Sequence, residues 1–272
     1  REYRHGDPLS RIDWRRYAKT GDLGTVLFRE QEASRVVVVV DGRSESAVTS
    51  TPGMPDGTTL SSYAGIVTAS ALSDAGHQVG VAGLGISSNR PDVYTGPPAF
   101  VEPSTGSETL ARIALVCDTI AAGSMTVGSA HPTVSSSQPD PANRDGVSDA
   151  AADGGFAGGI SKTDRSGLTS VGTDAVDTLD ALVDRNTQFV VCSPVIDQDA
   201  VELIGGLRRR GFPTTVVGPD VTSGDAVGSR VAALRRSARI TRLRRLDVPV
   251  VDWDPETPLQ RALADGLGEV IR

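Results

Sequence analysis

The sequence predicts an α/β fold, with a mainly parallel sheet covered by helices on both faces. Two observations carry this. A bare apolar run, Val36 to Val40, ends in Asp41, and a strand buried on both faces reads as such a continuous β-branched run. From there on, short strand-like segments alternate with longer segments of helical period, the pattern of βα units in a parallel sheet.

Val36–Asp41 is the first strand. Residues 42–58 hold Gly, Ser, Thr and Pro and read as a loop. Leu60–Ala75 has helical spacing and stops at Gly76. His77–Leu84 alternates as a strand. Val93–Val101 is a weaker strand, and Pro97 and Pro98 inside it predict an edge position. Ser107–Ala122 is a helix with Ile113, Val116, Cys117 and Ile120 on one face. Residues 123–172 turn Ser-, Gly-, Asp- and Pro-rich and bury too little apolar surface to order themselves. They read as a disordered surface insertion, with a flexible arm or regulatory segment as the functional alternative. Helices at Asp174–Asp184, Asp199–Arg210, Ser229–Leu246 and Pro258–Ile271 then alternate with strands at Phe189–Ser193, Thr214–Val217 and Val248–Val251.

With only 4% aromatics, the core of this 272-residue chain rests on Val, Ala, Leu and Ile. Net charge is -7, and Lys19 and Lys162 are the only lysines among 27 basic residues. This acidic, Lys-poor composition matches a halophilic archaeon, since excess negative charge keeps a protein dispersed in strong salt; GC-rich coding is the alternative reading. Cys117 and Cys192 read as two buried free thiols rather than a disulfide or zinc framework. His5, His77 and His131 show no ligand spacing. No apolar run approaches the length of a membrane span. The chain begins at Arg1 and is read as a piece of a longer protein.

Residues 1–35 are irregular and dense in Arg, Asp and aromatics, and are treated as an N-terminal extension to a domain over 36–272. The opening holds Arg1, Tyr3, Gly6 and Asp7, then Arg11, Ile12, Asp13 and Trp14, then Ala18, Leu23 and Glu32. This long, idiosyncratic spacing resembles the domain of unknown function 58 (DUF58) family, with Ser10 where the family has the first Arg of its central cluster. The resemblance implies a von Willebrand factor A-like fold after the extension. It also implies a neighbouring MoxR-type AAA+ ATPase as partner, a role in assembly or stress response, and a cytoplasmic domain whose parent is attached to the plasma membrane. It supplies no catalytic residues. Asp7, Arg11, Asp13, Trp14 and Arg15 read as a charge network that pins the segment, or alternatively as a binding surface.

Domains of that fold often hold Mg²⁺ above the sheet through an Asp-x-Ser-x-Ser loop, with a Thr and an Asp from other loops. A hard cation of this kind takes carboxylate and hydroxyl oxygens. Here the loop reads Asp41-Gly42-Arg43-Ser44-Glu45-Ser46, with Arg43 and Glu45 at the two Ser positions. A degenerate Mg²⁺ site would use Asp41, Ser44, Ser46 and Thr105, or Thr109 in its place. The alternatives are that Arg43 replaces the ion, or that Asp41 caps a neighbouring helix.

The last candidate is the Arg-rich helix. Residues 230–246 contain seven arginines and no acid. Ala233, Leu234, Ala238, Leu243 and Leu246 are expected to face the core. That leaves Arg235, Arg236, Arg239 and Arg242 outward, to dock an acidic partner or anionic lipid, or simply to be solvated. Nucleic acid is not expected, since no stacking platform accompanies them. No nucleophile elbow, phosphate loop, His–carboxylate pair or zinc spacing is present. The expectation is therefore a non-catalytic protein-interaction module. Metal-dependent adhesion and, less favoured, a metal-dependent hydrolase are the rivals.

Overall fold

The computed structural model describes residues 34–86, 90–127, 171–224 and 226–267. The family-type opening, Arg1 to Glu32, and most of the proposed insertion lie outside the described residues.

Six strands form one sheet: β1 (Arg35–Asp41), β2 (Gln78–Leu84), β3 (Ala99–Ser104), β4 (Gln188–Cys192), β5 (Thr214–Pro219) and β6 (Val250–Trp253). Their order is β3-β2-β1-β4-β5-β6. All neighbouring pairs are parallel except β2 with β3, which is antiparallel. The helices are α1 (Gly57–Asp74), α2 (Ser107–Val127), α3 (Val171–Leu182), α4 (Gln198–Arg209), α5 (Val227–Arg245) and α6 (Leu259–Leu267).

The five valines of β1 explain the layering. Val36, Val38 and Val40 pack with Leu60, Ala64 and Leu72 of α1, Ile113 and Val116 of α2, and Leu259 and Leu263 of α6. Val37 and Val39 face the other way, onto Val176 and Leu179 of α3, Leu203, Ile204 and Leu207 of α4, and Leu243 of α5. Alternate residues of a strand point to opposite faces, so a strand between two helical layers must be apolar throughout.

Several boundaries differ from expectation. The first helix starts at Gly57 because Asp56 caps it, its side chain accepting from Thr59 N at 2.8 Å. Such a cap stabilises a helix by about 1 kcal/mol. The strand expected at Val93–Val101 is instead Ala99–Ser104, joined to Thr95 by a single bridge. Its edge position is as expected. The two helices flanking the proposed insertion run to Val127 and start at Val171, so the ends of the 123–172 range are helical. Among the described residues no helix is long and apolar enough to cross a membrane.

Candidate functional site at the carboxyl ends of β1 and β4

Strand order reverses between β1 and β4. β1 leads through α1 to β2 on one side, while β4 leads through α4 to β5 on the other. The two helices cover opposite faces. Such a switch point leaves a crevice at the carboxyl ends of the strands, where α/β sheets place ligands. Asp41 is the last residue of β1, and its neighbour Val40 is in register with Cys192, so Ser193 arrives beside the Asp41 carboxylate.

Asp41 is 1% exposed, and both its oxygens are occupied. Arg43 Nε donates to Oδ1 and Arg43 Nη2 to Oδ2, each at 2.8 Å. The Arg43 backbone N–H adds a bond to Oδ1 at 3.3 Å. Ser46 Oγ donates to Oδ2 at 2.8 Å and Ser193 Oγ to Oδ2 at 2.7 Å. A short 3₁₀ turn, Ser44–Ser46, curls the chain back so that Ser46 reaches the carboxylate. The turn is held tightly. A Cβ on Gly57 would come within 2.4 Å of Ser46 O. A Cβ on Gly85, at φ +77°, would come within 2.3 Å of Gly42 O.

Arg43 also reaches the β4–α4 loop. Its Nη1 lies 2.9 Å from Asp197 Oδ2, and Nη2 lies 3.3 Å from Asp197 Oδ1. Asp197 is the N-cap of α4 and accepts from Ala200 N at 2.9 Å. One guanidinium thus bridges the end of β1 and the start of α4. Within the same loop Val195 is fully buried with φ 55°. That conformation costs a β-branched residue on the order of 1–3 kcal/mol, so the surrounding packing holds the loop to this path.

The electrostatics follow the geometry. Burial, the largest influence, would raise the Asp41 carboxyl; the Arg43 hydrogen bonds and charge, with the Ser193 and Ser46 hydroxyls, outweigh it and hold the group below its ordinary value. For Arg43, burial acts to lower the guanidinium, and Asp41 and Asp197 reverse that and push it higher. Both groups are charged across the physiological range.

This donor set does not fit a divalent ion. Every bond to the Asp41 oxygens comes from an N–H or O–H, and a guanidinium carries the positive charge a metal would bring. Of the four residues proposed to hold Mg²⁺, the structure brings together Asp41 and Ser46. Ser44 turns away and donates to Glu45 Oε2 at 3.2 Å. Thr105 lies at the wrong end of the sheet. Because β3 runs antiparallel, Ser104 pairs with Val79, whereas Asp41 pairs with Leu84. Those two rungs are about 16 Å apart at the usual strand rise. Thr109, farther along in α2, has the same displaced origin. Among the described residues no group of three or more His, Cys, Asp or Glu could hold a metal ion.

A second arginine grips the same edge of the sheet. Arg236 is 4% exposed. Its Nε donates to Pro194 O and its Nη2 to Gly218 O, both at 2.9 Å, and its Nη1 lies 2.8 Å from Asp252 Oδ1. Gly218 leaves the room, since a Cβ there would sit 3.2 Å from Arg236 Nη2. Arg236 therefore ties the loop after β4 to β5 and β6, and the expectation that it faces outward is wrong. Of the other three, Arg235 and Arg242 are exposed and Arg239 is half-buried. The phase of α5 also differs: Leu243 faces inward as expected, joined by Ile240, while Leu234, Ala238 and Leu246 are exposed. Ser193 and Asp197, absent from the proposed ligand set, are the partners that sequence spacing did not single out. Their signal was their place just past the strand next to β1.

Cys117 and Cys192 are buried and free in one apolar cluster. Burial, with Asp118 nearby, pushes the Cys117 thiol up to about 12, and burial raises Cys192 further.

A comparison with curated proteins finds no match. The family model described as "Protein of unknown function DUF58" matches residues 1–123. That stretch includes Asp41, Arg43 and Ser46, and it excludes Ser193, Asp197 and Arg236. Over residues 1–123 the chain is similar to the DUF58 family.

Proposed function

We propose that this domain is a non-catalytic protein-binding module, an adaptor or assembly factor that works with a MoxR-type AAA+ ATPase. The observation that carries the reading is the internal closure of the switch point. The carboxylate that the fold delivers to its ligand crevice is consumed by Arg43, Ser46 and Ser193. A general base or nucleophile needs a free lone pair facing substrate, and Asp41 directs its oxygens to internal donors. The nearest thiol, Cys192, is buried and raised, hence unreactive. What the domain offers is surface.

The strand order with one antiparallel edge supports a von Willebrand factor A-like reading of the sheet. The ATPase partner, and a parent protein attached to the membrane from its cytoplasmic side, rest on the family resemblance of the N-terminal motif. Arg43 seated on Asp41 weighs against the rival metal-dependent adhesion reading, and against the hydrolase reading that needs the same metal.

The test is affinity capture from the source organism's lysate at high salt, with this domain as bait and mass spectrometry as readout. Enrichment of a MoxR-type ATPase supports the proposal. Its absence from the captured set, with the bait folded, removes that partner.

A further inference from the structure

We propose that the outward face of α5 is a docking site for an acidic amphipathic helix of a partner protein. This rests on the protein-binding reading above and adds the chemistry of the partner. The phase of α5 is set by Arg236, Ile240 and Leu243, its buried residues. At about 100° per residue, Val227, Val231, Leu234 and Ala238 fall on the opposite side. They are exposed: Val227 by 78%, Val231 by 42% and Leu234 by 72%, with Ala238 exposed beside them. The i, i+4, i+7, i+11 spacing makes them one continuous ridge, about 16 Å long. A helix that is apolar on both its core side and its solvent side has a second surface to cover.

The flanks of the ridge identify the occupant. Arg230 lies along one side, and Arg235 and Arg242 along the other, all exposed. No acidic residue occurs from Val227 to Arg245. The first turn adds to the positive field, because Ala226 supplies no side-chain cap and no acid follows it. An apolar seam with cationic rows on both sides is complementary to a helix carrying aliphatic residues on its seam and Asp or Glu beside them. Arg rather than Lys suits this, since a guanidinium binds a carboxylate with two parallel bonds.

Other occupants fit less well. A second copy of α5 would set arginine rows against arginine rows. An anionic bilayer would be approached by a chain of net charge -7, on a ridge that holds no Trp, Tyr or Phe to seat at the interface. Nucleic acid would have to meet the arginines across an apolar centre.

The experiment uses the domain as it stands. The probe is a synthetic helix of about 21 residues with Leu at the seam positions and Glu on both flanks. The controls are the same peptide with Lys on the flanks, and vesicles of phosphatidylcholine and phosphatidylglycerol. Binding is read by amide chemical shifts and fluorescence anisotropy. The Glu peptide is expected to bind, shift α5 amides, and lose affinity as salt rises, with the Lys peptide silent. Leu234→Glu is expected to weaken binding by about tenfold or more without changing the melting temperature, since Leu234 is 72% exposed.

Equal binding of both peptides, binding of neither, or vesicle binding lost in Leu234→Glu would each overturn the proposal. ATPase capture that survives Leu234→Glu and fails to compete with the peptide would overturn this surface while leaving the proposed function standing. Peptide binding without ATPase capture would do the reverse.

Discussion

Arg43 folds back onto Asp41 across a single intervening residue, its Nε and Nη2 meeting the two carboxylate oxygens at 2.8 Å each. The pair is buried and shares its remaining polar capacity with Ser46, Ser193 and Asp197. A buried ion pair of this kind adds little over an apolar replacement of the same shape, but removing one partner strands the other.

Asp41→Asn is therefore expected to destabilise the domain by about 3–5 kcal/mol, because Arg43 stays charged in a buried site. Replacing both residues, as in Asp41→Asn with Arg43→Met, is expected to recover part of that loss. Urea unfolding of Asp41→Asn, Arg43→Met, the double variant and the parent gives the coupling. If the double variant is as unstable as the sum of the single changes, the pair does not act as a unit.

Stability should fall on acidification in a way that Asp41 explains. Burial alone would raise this carboxyl, but Arg43, Ser193 and Ser46 hold it below its ordinary value of 3.8. A folded-state value below the unfolded one contributes stability that is full above about 3.8 and is lost as pH drops through the folded value. The advantage of the parent over Asp41→Asn should thus be constant near neutrality and shrink below about pH 4. An advantage that grows on acidification would contradict the assignment.

Divalent ions should leave the domain unchanged. A ligand present at a hundredfold its dissociation constant stabilises a fold by about 2.7 kcal/mol, a shift readily seen in a thermal melt. With the guanidinium of Arg43 seated on Asp41, adding Mg²⁺ or a chelator is expected to move the melting temperature of the parent by nothing measurable. A reproducible rise with Mg²⁺ that Asp41→Asn abolishes would mean that Arg43 yields the site to the ion.

The two thiols give a probe of global unfolding. Burial holds Cys117 up at about 12 and Cys192 higher still, so neither is a thiolate near neutrality. A thiol reagent at pH 8 is expected to label neither in the native state and both in denaturant. Rapid native labelling of either would show that the cluster between α1, α2 and the sheet opens locally.

Sequence alone placed β1 and Asp41 because five consecutive valines leave no other reading, and it offered the Arg43 pairing as one alternative from nearness in the chain. Ser193 was harder, since its contact spans 152 residues and depends on β4 lying next to β1. Thr105 was misplaced because Val93–Val101 was read as an edge strand without a direction, and β3 runs antiparallel. The clue lay in residues 85–98, which carry no helical period: a parallel return needs a crossover, usually helical, whereas an antiparallel one does not. On α5, arginines at many positions hid the phase that Ile240 and Leu243 define.

That phase yields the sharpest contrast between neighbours. Arg235 and Arg236 are adjacent and chemically identical, yet one is solvated and the other carries bonds to Pro194 O and Gly218 O and an ion pair with Asp252. Arg235→Ala should change stability by less than about 0.5 kcal/mol, as for most surface substitutions. Arg236→Ala removes the donors of two carbonyls at the sheet edge and opens a space beside Gly218, and is expected to cost about 3 kcal/mol or more. Arg236→Lys should recover little of it, because a single ammonium cannot span Pro194, Gly218 and Asp252 at once. Denaturant midpoints of the three variants decide the matter. Equal, small effects at 235 and 236 would mean that Arg236 does not hold the loop after β4 to β5 and β6.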